Sequence, residues 1–111
     1  MNNPKFQIFK SPANAEYYYR LKATNGEIIL SGEGYKTNQS CRVGIDSVKV
    51  NAPFDNRYDR KDAITNYSFN LKAGNGEIIG RSENYTNRAA RENGISAVKE
   101  DAPNAPIEDL S

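Results

Sequence analysis

The sequence predicts an α+β protein in which tandem copies of one sheet-and-helix unit form a single, mainly antiparallel sheet with two helices on one face. Three observations predict it. The stretch from Tyr17 to Pro53 recurs from Tyr67 to Pro103 without a gap, each copy opens on period-two apolar residues and a glycine turn, and each then changes to a helical pattern.

The repeat is the firmest of the three. Leu21-Lys22-Ala23 returns as Leu71-Lys72-Ala73, and Asn25-Gly26-Glu27-Ile28-Ile29 as Asn75-Gly76-Glu77-Ile78-Ile79. Glu33, Tyr35, Gly44-Ile45, Val48-Lys49 and Ala52-Pro53 all have identical partners in the second copy. About 17 of roughly 37 aligned positions are the same, which duplication explains.

Tyr17, Tyr19, Leu21 and Ala23 alternate with Tyr18, Arg20 and Lys22, as in a strand with one buried face, and Tyr67, Phe69, Leu71 and Ala73 repeat the pattern. Thr24-Asn25-Gly26 and Gly74-Asn75-Gly76 suit hairpin loops whose last glycine takes the left-handed conformation. The returning strands run through Glu27 to Ser31 and Glu77 to Arg81. A two-residue turn sets Leu21 against Leu30, and a three-residue bulged loop sets it against Ile29. The bulged loop is preferred because it pairs Leu21 with Ile29 and Leu71 with Ile79, whereas the alternative leaves Leu71 opposite Gly80.

After Tyr35 and Tyr85 the apolar period becomes helical. Thr37 and Asn87 are the expected N-caps, and Gly44, Ile45, Val48 and Gly94, Ile95, Val98 form the stripes that face the sheet. A glycine in mid-helix costs about 1 kcal/mol relative to alanine, so its presence in both copies predicts a close helix-to-sheet approach there. Pro53 and Pro103 end the helices, and Lys49 and Lys99 favour their C-termini. Phe6 to Lys10 reads as an opening strand, Arg57 to Lys61 as a middle one and Ile107 to Leu110 as a closing one.

The chain of 111 residues is too short for two independent cores, so one domain is expected, with repeats at about 4–53 and 57–110 and the strand 57–61 shared between them. Fifteen basic and 14 acidic residues leave a net charge of +1, which provides no long-range field for polyanions. No apolar run approaches a membrane span, and Met1-Asn2-Asn3-Pro4 lacks a secretory pattern, so the cytoplasm is the expected location. Cys41 is the only cysteine, which excludes an internal disulfide. The sequons at Asn38, Asn66 and Asn84 are read as chance in an Asn-rich chain.

Tyr19 to Ile29, with Gly44-Ile45-Asp46-Ser47-Val48-Lys49 and the matching residues of the second copy, resembles the YegP-like family of small bacterial proteins. The likeness covers nearly the whole chain. It implies β-β-β-α-β units that make one sheet and exchange their terminal strands; it implies no activity and transfers no catalytic residue. Departures are the replacement of Leu30 by Gly80 and of Cys41 by Arg91 in the second copy, the latter making the start of that helix less apolar.

The absence of histidine removes the Ser-His-Asp triad, the Cys-His pair and His-containing zinc sites. Cys41 lies on the inner helix stripe, where a thiol acts as a small hydrophobe. Glu27 and Glu77 read as solvated turn residues. Glu33 and Glu83 precede helix N-termini, where negative charge is favourable, and a small enzyme using this carboxylate pair is the second alternative to a binding role. Ser31-Gly32-Glu33-Gly34-Tyr35 lacks the ending of a nucleotide loop, so no cofactor, metal or catalytic residue is expected.

Tyr18, Arg20, Lys22, Asn70, Lys72 and Arg81 fall on the face pointing away from the helices. They mix an aromatic ring with basic groups, as single-strand nucleic-acid platforms do, although an antiparallel sheet open to water needs polar residues there in any case. The leading expectation is a non-enzymatic interaction or structural module that binds a protein partner by its open face or a strand edge. Sequence-tolerant nucleic-acid binding on that face is the alternative, not favoured by the charge. No membrane contact is expected, and the chain reads as a monomer with internal pseudo-two-fold symmetry.

Overall fold

The computed structural model describes residues 3–111. Its elements, in chain order, are β1 (Lys5–Lys10), β2 (Tyr17–Lys22), β3 (Ile28–Ser31), α1 (Asn38–Asn51), β4 (Tyr58–Asp62), β5 (Tyr67–Lys72), β6 (Ile78–Arg81), α2 (Arg88–Asp101) and β7 (Ile107–Asp109). The seven strands form one sheet in the order β4-β5-β6-β3-β2-β1-β7. All pairings are antiparallel except β7 on β1. The last strand of the second repeat thus completes the sheet of the first, which is the terminal-strand exchange. β4 follows the first helix and pairs with β5 at the opposite edge.

The halves meet at a narrow seam, a single β3–β6 pair at Ser31 and Arg81. One apolar cluster nevertheless runs through both. It includes Phe6, Tyr19, Leu21 and Leu30 from the first half, Phe69 and Leu71 from the second, and Ile45, Val48, Ile95 and Val98 from the helices.

Both hairpin tips are the three-residue bulged loops. Ala23 N donates to Glu27 O and Gly26 N to Ala23 O, with the same pair of bonds at Ala73, Gly76 and Glu77. Gly26 (φ 84°) and Gly76 (φ 88°) are left-handed, as the loop requires. The preferred strand register, however, is overturned. Leu21 faces Leu30 and Leu71 faces Gly80, not Ile29 and Ile79, because a second bulge shifts the pairing between Leu21 and Lys22 and between Leu71 and Lys72.

The physical reason lies in the core. The extra residue puts consecutive Ile29 and Leu30 both out of water, which strict alternation forbids. Opposite Leu71 no side chain is needed, because Leu30 reaches across the seam. A Cβ on Gly80 would lie 2.8 Å from both Cγ and Cδ2 of Leu30. Two leucines related by the pseudo-two-fold would compete for one space, and the duplicated chain resolves this with one leucine and one glycine.

Thr37 and Asn87 cap the helices, accepting from Ser40 N and Ala90 N. The helical glycines do mark a close approach, to a tyrosine that leads into each helix. A Cβ on Gly44 would sit 2.7 Å from Cζ of Tyr35, and one on Gly94 2.8 Å from Cζ of Tyr85. Both rings are fixed at their backbones, since Tyr35 pairs with Tyr17 and Tyr85 with Tyr67 in isolated bridges. Lys49 and Lys99 lie in the last helical turns, with their ammonium groups over the Phe6 and Tyr58 rings.

The second repeat carries a charge network that the first lacks. Arg60 pairs with Glu92 (2.9 Å) and Asp55 (2.9 Å), and Arg91, buried on α2, pairs with Asp62 and Glu92. Hydrogen bonds from Arg60 and Lys99 hold the Asp55 carboxyl down at about 2 instead of 3.8, and Arg60 likewise lowers Glu92. A carboxylate with a depressed folded pKa stabilises fully above its unfolded value and loses that contribution as pH falls through the folded one. Thermal unfolding is therefore expected to drop between about pH 4 and 2, with a shallower acid slope in Asp55→Asn. Identical acid slopes in the two proteins would show that this ion pair does not contribute.

Candidate functional site

The extra residue lies on β3 and β6, so β2 and β5 keep their alternation and present every second residue to the open face. β2 contributes Tyr18, Arg20 and Lys22, β5 contributes Asn70 and Lys72, and Arg81 of β6 stands opposite Asn70. The first five are half-buried among their neighbours, and Arg81 is exposed.

These six residues do not form one patch. Tyr18 stacks on Phe9 at 5.9 Å and 18°, and its hydroxyl accepts from Asn14 Nδ2. Arg20 lies over the Phe9 ring (4.8 Å) while its Nε donates to Gln7 Oε1 (2.8 Å). Phe9 is thereby engaged by both side chains, so the aromatic surface that a base would stack upon is largely used within the protein. Arg81 is committed to Glu33, 2.8 Å away across the seam. Lys22 and Lys72 make no ion pair among the described residues.

The seam explains where the face opens. At one end Arg81 spans to Glu33. At the other, the residue in the place of Arg81 is Ser31, which is too short to reach Glu83, and Glu83 has no ion-pair partner among the described residues. An open cleft of about 560 Å³ lies there, bordered by Arg20, Lys22, Glu27 and Ile28 of the first repeat and Glu83, Asn84 and Tyr85 of the second. Arg20 and Lys22 thus fall in one site, whereas Tyr18, Asn70, Lys72 and Arg81 do not line it. Ile28 and the 83–85 loop could not be assigned to it from the sequence, because nothing local indicates that β3 lies beside β6.

The carboxylates offer no acid–base pair. Glu27, Glu33, Glu77 and Glu83 are all exposed, and Glu33 is in its ion pair, so the shared buried cleft that an enzyme reading needs is missing at these residues. Cys41 is fully buried, and burial pushes its thiol up to about 11, away from the thiolate form a nucleophile needs. No three His, Cys, Asp or Glu side chains among the described residues are grouped to hold a metal ion, and no helix among them is long and apolar enough to cross a membrane.

Fold and site together define a tandem-repeat α+β protein whose seven-stranded sheet leaves one face open. The chain belongs to the family described as a domain of unknown function (DUF1508), whose model matches it twice, over residues 13–59 and 62–109. Its relatives carry the name UPF0339. One from Stutzerimonas stutzeri, the UPF0339 protein in the ptx operon 5' region, is 52% identical over 56 residues, covering 50% of each chain. One from Treponema denticola is 49% identical over 49 residues, covering 44% of this chain and 83% of that relative. The chain thus spans about half the length of the first of these curated relatives.

Two solved structures match almost end to end. The solution NMR structure of the UPF0339 protein SO3888 from Shewanella oneidensis has a TM-score of 0.90 at 40% identity, covering 97% of this chain and 92% of that one. The protein of unknown function YegP from E. coli has a TM-score of 0.89 at 38% identity, covering 99% and 95%. The YegP-like resemblance of the sequence is thereby shown, and with it the tandem fold.

Proposed function

We propose that this protein is a non-enzymatic interaction module that takes an extended, acidic and apolar segment of a partner protein in the cleft at its seam. The observation that carries this reading is the asymmetry of the seam. Arg81 closes one end on Glu33, while Ser31 leaves the other end open with Lys22 unpaired beside Ile28. An ammonium, an apolar side chain and a free strand flank are what an extended segment engages. In this reading the repeats at about 4–53 and 57–110 act as one unit, with the segment 57–61 serving both, because the cleft takes residues from each half. Nucleic-acid binding is the less supported reading, since Phe9 is engaged by Tyr18 and Arg20.

The test is an amide-shift titration of the labelled protein with an alternating Glu–Leu peptide and, separately, with an oligothymidylate. The peptide is expected to shift Lys22, Ile28 and the 83–85 loop. Lys22→Glu should abolish those shifts, and so should Ser31→Arg, which adds positive charge but closes the cleft on Glu83. Lys72→Glu, outside the cleft, should leave them in place. If Ser31→Arg binds the peptide as well as the parent does, or if only the oligonucleotide shifts the face, the cleft reading is wrong.

A further inference from the structure

The two helices bury equivalent stripes and expose unlike ones. Val43 (57% exposed) and Val50 (69%) lie on the outer side of α1, and Phe54 (55%) lies just beyond its end. With Ser47 between the valines these residues fall at i, i+4, i+7 and i+11, along one side of a helix. The repeat places Asn93, Ala97, Glu100 and Asn104 at the same positions of the second half. Both helices pack on the sheet through their other side, so the apolar residues of α1 are not there for the core.

The stripe forms one wall of a groove of about 430 Å³. The other wall is the second repeat's hairpin, with Ala73, Asn75, Glu77 and Ile79 across from Val43 and Ser47. Arg57 stands at the far end. It lies over the Phe54 ring (6.0 Å) and reaches the hairpin, where a Cβ on Gly74 would sit 3.4 Å from its Nη2. The pseudo-symmetric groove along α2 is smaller, about 330 Å³, and has Asn93 and Ala97 in place of Val43 and Ser47.

Charge decides what fits. Asp46 lies one turn from each valine, three residues after Val43 and four before Val50, and Glu77 stands across the groove. Both carboxylates are exposed, and neither makes an ion pair among the described residues. The cations of α1 are committed elsewhere, Arg42 to Asp109 (3.0 Å) and Lys49 to the Phe6 ring (5.7 Å). Lys36 precedes the helix, and Arg57 at the other end donates from Nε to Asn51 (2.9 Å). The middle of the groove is therefore apolar and flanked by carboxylates, whereas α2 has Ser96 where α1 has Asp46.

We infer that this groove is a second interaction surface, apart from the seam cleft, and that it docks an amphipathic helix of a partner protein whose apolar stripe is flanked at its middle by lysine or arginine. Apolar side chains one turn apart on such a helix pack against Val43, Val50 and Phe54, and its cations meet Asp46 and Glu77. A second copy of the chain is the poorer occupant. Laying α1 antiparallel on its own copy, with Val43 against Val50, sets the two-fold axis between Asp46 and Ser47 and brings the two Asp46 carboxylates together, where they repel.

The test titrates the full-length labelled protein with two helical peptides that share leucines at i, i+4, i+7 and i+11, one flanking them with lysine and the other with glutamate. The lysine peptide is expected to shift amides at residues 39–54 and 73–79 and to bind at least about ten-fold more tightly than the glutamate peptide. Val43→Asn with Val50→Gln and Phe54→Asn makes this side of α1 as polar as its counterpart on α2 without adding charge, and should weaken binding at least about ten-fold. Asp46→Ser with Glu77→Gln should weaken it about three-fold and flatten its salt dependence. The inference fails if the lysine peptide leaves residues 39–54 unmoved or the glutamate peptide binds as tightly. It fails equally if the polar, folded variant binds as well as the parent, or if the parent self-associates through α1 without peptide.

Discussion

Gly80→Leu is expected to destabilise the protein by about 3 kcal/mol, the upper end of what overpacking a core costs. The new side chain would enter space that Leu30 already fills, and Leu30 is fully buried, with no exit to solvent. Leu30→Gly is expected to cost about 3–5 kcal/mol, from the cavity it leaves and the backbone freedom it adds. The sharper result lies in the combination. If the two positions share one pseudo-symmetric space, Leu30→Gly with Gly80→Leu moves the leucine to the other side of the seam and recovers most of the loss. Urea unfolding of the four proteins measures the coupling, expected at about 2–3 kcal/mol. A double variant whose cost is the sum of the singles would show that the seam does not hold one shared side chain.

Gly44→Ala and Gly94→Ala are expected to destabilise although alanine is the better helix former by about 1 kcal/mol. Each methyl group meets the ring of a tyrosine, Tyr35 or Tyr85, that is partly buried against the core and fixed by its backbone bridge. Displacing such a ring costs about 1–3 kcal/mol, so each variant should lose stability on balance, and the pair should lose roughly the sum because the sites lie on different helices. Thermal and urea unfolding check this directly. A gain in stability in either variant would show that the tyrosine moves aside freely and that helix propensity governs the position.

Much of the fold was legible because its signals are local. Alternation at Tyr17 to Ala23, the Asn-Gly loops, the caps at Thr37 and Asn87 and the stripes at Ile45 and Val48 each report a backbone state within a few residues. Their recurrence at Tyr67 to Ala73, Asn87, Ile95 and Val98 indicated two copies of one arrangement. The register failed for a nonlocal reason. Pairing Leu21 with Ile29 satisfies the hairpin considered alone, and Leu30 becomes the better partner only when the second repeat presents Gly80 to it.

The candidate site was partly visible in the same way. Alternation placed Tyr18, Arg20, Lys22, Asn70 and Lys72 on one face, but their partners Phe9, Gln7 and Asn14 come from other segments. The contrast that opens the cleft, Ser31 against Arg81, gains meaning only once β3 and β6 are neighbours.

The sequence by itself determined the repeat, the element types and the outward face, since periodicity and turn chemistry act along the chain. The tertiary structure alone decided the order of strands and the sharing of Leu30 across the seam. Those depend on which segments are brought together in space, and two identical copies cannot both fill the space on their common axis.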